Sequence, residues 1–354
     1  MKTDKNKKTT RVVVEKPLRI DLAGGWSDTP PICNILGGCV LNMAVKLNGK
    51  LPVKVAVERI AGASVIVESV DLRKRGEYRS DREIAKHDDP RDWGCLVKSA
   101  LTVVGYKLRE GGLHIRISAD VPKGSGLGTS SILGAALVEA LGKVLGRDYT
   151  WRDVGALTLE MEREMRTGGG WQDQIGGLLP GVKLISSSPG DEQRLRVRRL
   201  DAASSAAFSE FLSERALLYF TGQKRMARNV LRGVVGFFGK NPDGIAHAIV
   251  SRLKRDASAA CKAIEKGDWA ALCAAINGYW LSKKALDPGS TNPLVESLVA
   301  RMAPWIDAVT LCGAGGGGFM LAIARDTGCR RKIRRILESQ APRPEGRFYD
   351  FSIA

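Results

Sequence analysis

The chain has 354 residues, 44% hydrophobic and 26% charged, values that exclude wholesale disorder and lead us to expect two packed lobes, 11–188 and 189–354. No apolar run approaches the roughly 18 residues that cross a bilayer, and the Lys-rich start Met1–Thr10 lacks the apolar region of a secretory signal, so a soluble protein of the cytoplasm is expected. The formal charge of +17 would attract any polyanion, including nucleotide phosphates and RNA, without choosing among them.

In chain order, Arg11–Val14, Arg19–Leu22, Lys54–Val57 and Leu113–Ala119 read as strands, with Val53, Val55 and Val57 alternating against Lys54 and Ala56. The polar span Asp71–Asp92 reads as a loop, and Trp93–Val104 as a helix. Leu133, Leu137, Leu141 and Val144 recur at helical spacing over Ser130–Leu145, and a further helix covers about Arg152–Arg166. The Pro-Gly and serine cluster Leu179–Gly190, followed by a basic strand, marks the expected lobe boundary. Helices are expected over Ala227–Phe238, Ala246–Lys266, Trp269–Leu286 and Pro293–Arg301, then two strands, Ala308–Cys312 and Phe319–Ala324, around a glycine turn. The seven cysteines form no C-x-x-C pair and the three histidines lie far apart, so neither disulfides nor zinc are expected. The basic runs Lys2–Arg11 and Arg194–Arg199 lack interleaved aromatics and read as solvated charge.

The segment Pro122-Lys123-Gly124-Ser125-Gly126-Leu127-Gly128-Thr129-Ser130-Ser131 carries the clearest chemistry. Its glycines allow a phosphate to approach the backbone, the helix that follows offers free N–H groups and its positive end, and the Ser130 and Ser131 hydroxyls suit a cap or a magnesium ion. It is neither G-x-x-x-x-G-K-[ST] nor G-x-G-x-x-G. Gly313–Gly318 does satisfy G-x-G-x-x-G, but a strand rather than a helix follows, so a dinucleotide site fails its structural condition. That turn is expected either as a tight hairpin or, through Gly315 and Gly316, as a close neighbour of the transferred phosphate. In Arg19–Pro31, Asp28 and Trp26 could hold a sugar or serve as turn carboxylate and covering aromatic. In Thr167–Gly177, Asp173 stands as the one carboxylate among glycines and amides after a helix, in a run that also holds Gly170 and Trp171, and could be a turn residue or a base. Glu160, Glu162 and Glu164 on the preceding helix are candidate metal ligands, and periodicity alone does not say which faces a site.

Arg19–Pro31, Pro122–Ser131 and Cys312–Phe319, in this order and spacing, resemble the three motifs of the GHMP kinases, the superfamily of galactokinase, homoserine kinase, mevalonate kinase and phosphomevalonate kinase. Gly24–Pro31, Gly168–Gln174 and Thr221–Arg225 with Ala227, Asn229 and Leu231 look most like the L-fucokinases. The resemblance implies an α+β, two-lobed fold, with an N-terminal lobe like ribosomal protein S5 and a ferredoxin-like C-terminal lobe. It implies ATP and Mg2+, Asp173 as catalytic aspartate with Arg19 as its charged partner, and Pro122–Ser131 around the nucleotide. It also implies Ser131 and Glu162 as magnesium ligands and Asp28, Trp26, Gly170, Trp171, Gly315 and Gly316 around the sugar. Glu162 is preferred because it stands eleven positions before Asp173 (173 − 162), as the family's metal ligand does in mevalonate kinase. Gly25-Trp26 stands where galactokinases have Glu-His, which speaks against galactose. The implied activity is phosphorylation of the anomeric hydroxyl of L-fucose, with the heptose 7-phosphate kinases as the alternative branch and an RNA- or polyanion-binding protein as the non-enzymatic one.

Overall fold

The computed structural model describes residues 10–87, 89, 91–224, 227–240, 244–339, 341 and 343–354, of which 227–231 are described by backbone only. The basic run at 2–9, Arg225, and the side chains of Ala227, Asn229 and Leu231 lie outside these residues.

The chain opens with β1 (Arg11–Lys16), β2 (Leu18–Ala23), α1 (Ile32–Leu36), β3 (Cys39–Leu47), β4 (Val53–Ile60), β5 (Val65–Ser69) and β6 (Lys74–Tyr78). Next come α2 (Asp81–Ile84), α3 (Cys95–Val103), β7 (Gly112–Ala119), α4 (Thr129–Val144), α5 (Trp151–Glu164), α6 (Gln172–Leu178), β8 (Val182–Ser187) and β9 (Leu195–Arg199). The rest comprises α7 (Ala202–Arg215), β10 (Ala216–Phe220), α8 (Ala227–Lys240), α9 (Ile245–Lys266), α10 (Trp269–Leu286), α11 (Pro293–Met302), β11 (Ile306–Leu311), β12 (Phe319–Ala324), α12 (Thr327–Ser339), β13 (Arg347–Tyr349) and β14 (Phe351–Ile353).

The described residues form three sheets: β1-β4-β7-β5-β6, in which β5 and β7 run parallel; β14-β3-β8-β9, with β2 also paired to β3; and the antiparallel β11-β12-β10-β13. The alternation in β4 faces the core as expected, with Val53, Val55 and Val57 fully buried and Lys54 exposed. The span 71–92 is not all loop. Lys74–Tyr78 pairs with Val65–Ser69 as an edge strand, and Ser80 caps α2 by accepting from the Glu83 N–H. An edge strand needs backbone pairing but no apolar face, so its charges hid it. The serine-rich stretch likewise contains β8, which pairs with β3.

Every residue of β2 is buried, including Arg19 and Asp21. Charged groups in a strand covered on both faces must be paired. On that strand, positions 19 and 21 point to one face, and α9 and α10 pack beside it, so residues from opposite ends of the chain meet there.

Candidate active site

The loop 122–131 enters α4 through Gly124, Gly126 and Gly128, which adopt φ of 68°, 83° and 73°, a left-handed region that favours glycine. Gly128 is the α4 N-cap; no side chain caps the helix and no acidic residue sits in its first turn. That end is therefore open to an anion, whose charge the helix dipole favours. Lys123, Gly124 and Ser130 are exposed, Pro122 and Thr129 half-buried, and Ser125 and Leu127 buried. The Ser125 and Thr129 hydroxyls lie 3.3 Å apart.

Arg19, 2% exposed, lies beneath this loop. Its Nε and Nη2 donate to Asp173 Oδ1 at 2.9 and 2.7 Å, and its Nη1 donates to Asp21 Oδ1 at 3.1 Å and to the Gly126 carbonyl at 2.7 Å. Burial opposes the guanidinium charge, but Asp173 and Asp21 outweigh it and raise the Arg19 pKa. Asp173 occupies the first turn of α6 rather than a loop, and its side chain is 28% exposed. Both Arg19 bonds fall on Oδ1, so among the described residues Oδ2 has no hydrogen-bond partner. Asp21, Tyr279 and Lys283 complete the cluster. Their sequence signal was slight, because Tyr279 and Lys283 sit in an otherwise ordinary helical stretch.

Of the three glutamates, Glu160 is exposed and Glu164 pairs with His87 at 3.0 Å. Glu162 is 5% exposed and its Oε2 is buried without a hydrogen-bond partner among the described residues. Burial pushes its carboxyl up to about 8, with the Ser131 hydroxyl bond opposing and Asp173 and Asp28 adding to the rise. Among the described residues no cluster of three or more His, Cys, Asp or Glu gathers. One carboxylate and one hydroxyl still fit Mg2+, which takes few protein ligands and completes its shell with water and phosphate oxygens.

The residues expected around a sugar divide. Asp28 is fully buried, and its Oδ2 and Oδ1 accept from the Gln172 backbone N–H and side-chain Nε2, both at 3.1 Å. Burial and the nearby Asp173 push its carboxyl to about 7. A Cβ on Gly170 would stand 2.0 Å from Asp28 Oδ2, so that glycine makes room for Asp28. Trp26, at φ 76°, is 7% exposed, and its indole N–H has no partner among the described residues. Trp171 departs from the expectation of a substrate contact: it is 1% exposed, packed with Val40, Ile175, Leu179 and Ile185. Gly315 and Gly316 also depart from it. They are buried against Ser290, whose carbonyl accepts the Gly316 N–H, because the 313–318 turn packs on protein backbone. A Cβ on Gly318 would meet the Ser125 carbonyl at 2.4 Å, and one on Gly313 the Gly126 carbonyl at 2.5 Å. The second glycine turn is thus a hairpin seated on the first. Gln172, absent from the expected set, touches Asp28, and its Oε1 is buried without a partner among the described residues.

Residues 95–181 match the family model of the GHMP kinases N terminal domain and residues 260–343 that of the GHMP kinases C terminal domain. A bifunctional fucokinase/GDP-fucose pyrophosphorylase of Arabidopsis thaliana is 39% identical over 94% of this chain, which spans only 31% of that relative's length. A D-glycero-alpha-D-manno-heptose 7-phosphate kinase of Campylobacter jejuni is 29% identical over 96% of this chain and 95% of its own. The crystal structure of Lactococcus lactis galactokinase complexed with galactose has the same fold, with a TM-score of 0.74 at 17% identity, covering 98% of this chain and 94% of that one. The chain therefore carries the N- and C-terminal domains of the GHMP kinases, matched in order.

Proposed function

We propose that this protein is an ATP-dependent sugar kinase that phosphorylates the anomeric hydroxyl of L-fucose. One observation carries the reading: among the described residues Asp173, held through Oδ1 by a buried arginine, presents a free Oδ2 beside the uncapped α4 terminus and near the unpartnered Glu162 Oε2. The α4 terminus and the glycine loop hold the phosphates of the nucleotide. Asp173 Oδ2 accepts the hydrogen bond, and then the proton, of the acceptor hydroxyl; such positioned acid–base help is typically worth about 10²–10⁴-fold. Arg19 keeps Asp173 in place and sets its positive charge next to the oxygens of the moving group. Glu162 and Ser131 would hold Mg2+, which when bound neutralises phosphate charge. Asp28 orients Gln172, whose free amide oxygen is offered to a sugar hydroxyl, and Trp26 closes the far side.

The fucose assignment rests on the 39% identical relative and on the Gly-Gly-Gly-Trp-Gln-Asp-Gln run at 168–174. The heptose 7-phosphate reading stands second, favoured by a relative matched along nearly its whole length. A coupled ADP-release screen over L-fucose, D-arabinose, galactose and heptose 7-phosphate decides. L-Fucose is expected to give the highest kcat/KM; equal or better turnover of heptose 7-phosphate overturns the fucose assignment, and turnover of none overturns the kinase reading.

A further inference from the structure

Behind Arg19 lies a second layer that the reaction scheme does not use. Asp21 Oδ1 accepts from Arg19 Nη1 and, at 2.7 Å, from the Gly313 N–H. Its Oδ2 accepts from the Tyr279 hydroxyl and lies 3.9 Å from Lys283 Nζ. Lys283 Nζ itself donates to the carbonyls of Leu311 and Gly313 at 2.7 and 2.6 Å. The side chains of Arg19, Asp21 and Lys283 are 3%, 0% and 0% exposed, and Tyr279 is fully buried.

We infer that Asp21 is a positioning residue for Arg19, and that Tyr279 and Lys283 of α10 hold Asp21 and the 313–318 turn in register with it. The proposal rests on the kinase reading above. A guanidinium on a strand can rotate about its long stem, and two bonds to one oxygen of Asp173 do not fix its plane against a partly exposed carboxylate. The remaining anchors, from Nη1 to the Gly126 carbonyl and to a fully buried carboxylate, do, and of these only the carboxylate carries a charge. That carboxylate in turn has its two oxygens shared among donors from three separate elements, β2, α10 and the hairpin turn, so it has no alternative orientation to relax into. Two cations, Arg19 and Lys283, face two carboxylates, the buried Asp21 and the partly exposed Asp173, so each member also keeps its neighbour's charge tolerable. Tyr279 stays a donor: burial and the adjacent Asp21 raise its pKa well above the ordinary range. Because Gly313 N–H shares Asp21 Oδ1 with Arg19, the seat of the second glycine turn and the aim of the arginine are one arrangement.

The test is a cycle of Arg19→Lys, Asp21→Asn and the double variant, assayed on the best acceptor of the sugar screen. Asp21→Asn should lower kcat about 10–100-fold, below the effect of removing a direct transition-state donor, while KM for ATP and sugar stays within about twofold. In the Arg19→Lys background the same change should lower kcat no more than about twofold further, because the residue it acts through is already altered. Full additivity overturns the proposal. Tyr279→Phe, which leaves every charge in place, should lower kcat several-fold; Asp21→Asn/Lys283→Met removes one charge of each sign and serves if Asp21→Asn alone fails to fold. A readout without turnover uses the 15N–1H signal of Arg19 Nε, identified by its loss in Arg19→Lys. Tyr279→Phe and Asp21→Asn should speed its hydrogen exchange about tenfold or more, and unchanged exchange overturns the proposal. If the wild type phosphorylates no sugar, the kinase reading fails while this exchange measurement still decides the role of Asp21.

Discussion

Glu162→Gln separates a metal ligand from a structural carboxyl. In the folded protein the Glu162 carboxyl titrates near 8 against 4.5 when unperturbed, so between these values the folded state retains a proton that the unfolded state has released. Stability from this group is therefore full below about pH 4.5 and is lost as pH rises toward 8. The displacement corresponds to on the order of 5 kcal/mol at most. Burial is the largest cause of the rise and Asp173 and Asp28 the smallest; Gln removes the ionisable group and with it the whole displacement, offset by about 1–3 kcal/mol for a buried amide without matched partners, which leaves a gain on the order of 2–4 kcal/mol. Each kcal/mol moves Tm by roughly 2–4 °C in domains of 150–250 residues, so at pH 8.5 without Mg2+ the variant should melt several degrees above wild type, the gap closing toward pH 5. Adding Mg2+ with ATP should reverse the order, because a ligand bound by the folded state alone stabilises it and only wild type retains the carboxylate. Scanning fluorimetry from pH 5 to 8.5 with and without Mg2+ and ATP reads all of this. Parallel melting curves for the two proteins across that range would refute the assignment of Glu162 as a buried, proton-bearing metal ligand.

Asp173→Asn should reduce kcat about 10²–10⁴-fold while the ATP dissociation constant by calorimetry stays within about threefold; retained turnover removes Asp173 from the chemistry. Gly318→Ala should destabilise the protein by on the order of 1–3 kcal/mol, since a methyl group would meet the Ser125 carbonyl at 2.4 Å and φ there is 79°; a Tm within a degree of wild type contradicts the hairpin contact. Trp171→Ala should lose about 3–5 kcal/mol in chemical denaturation, and Trp171→Phe should leave the sugar KM near wild type, as expected of a core residue; a large KM change with Phe would return Trp171 to the substrate. D-Arabinose, lacking the methyl carbon of L-fucose, should be a weaker but real substrate, about 10–200-fold lower in kcat/KM, and equal turnover would show that no pocket reads that methyl group.

Glycine spacing at 124, 126 and 128, the strand pattern at Arg19–Leu22, and the helical repeats around them determine where a phosphate loop, the strand that carries Arg19 and a candidate base must lie. These are local features, written in backbone freedom and in the periodicity of the strand and the helix. Periodicity names a face but not its neighbour, so by itself it left Glu160, Glu162 and Glu164 open and only the family resemblance favoured Glu162; folding buried Glu162, exposed Glu160 and gave Glu164 to His87. Trp171 and Asp173 are two positions apart, yet helix α6 turns one into the core and the other toward the open α4 terminus. Tyr279 meets Asp21 across a separation of 258 residues, and nothing in the composition of α10 distinguishes Lys283, which is buried, from Lys284, which reaches the surface ion pair with Glu296. Which charges are paired in the interior is a property of packing, and only the tertiary structure decided that the arginine of the first motif is held from behind by the last third of the chain.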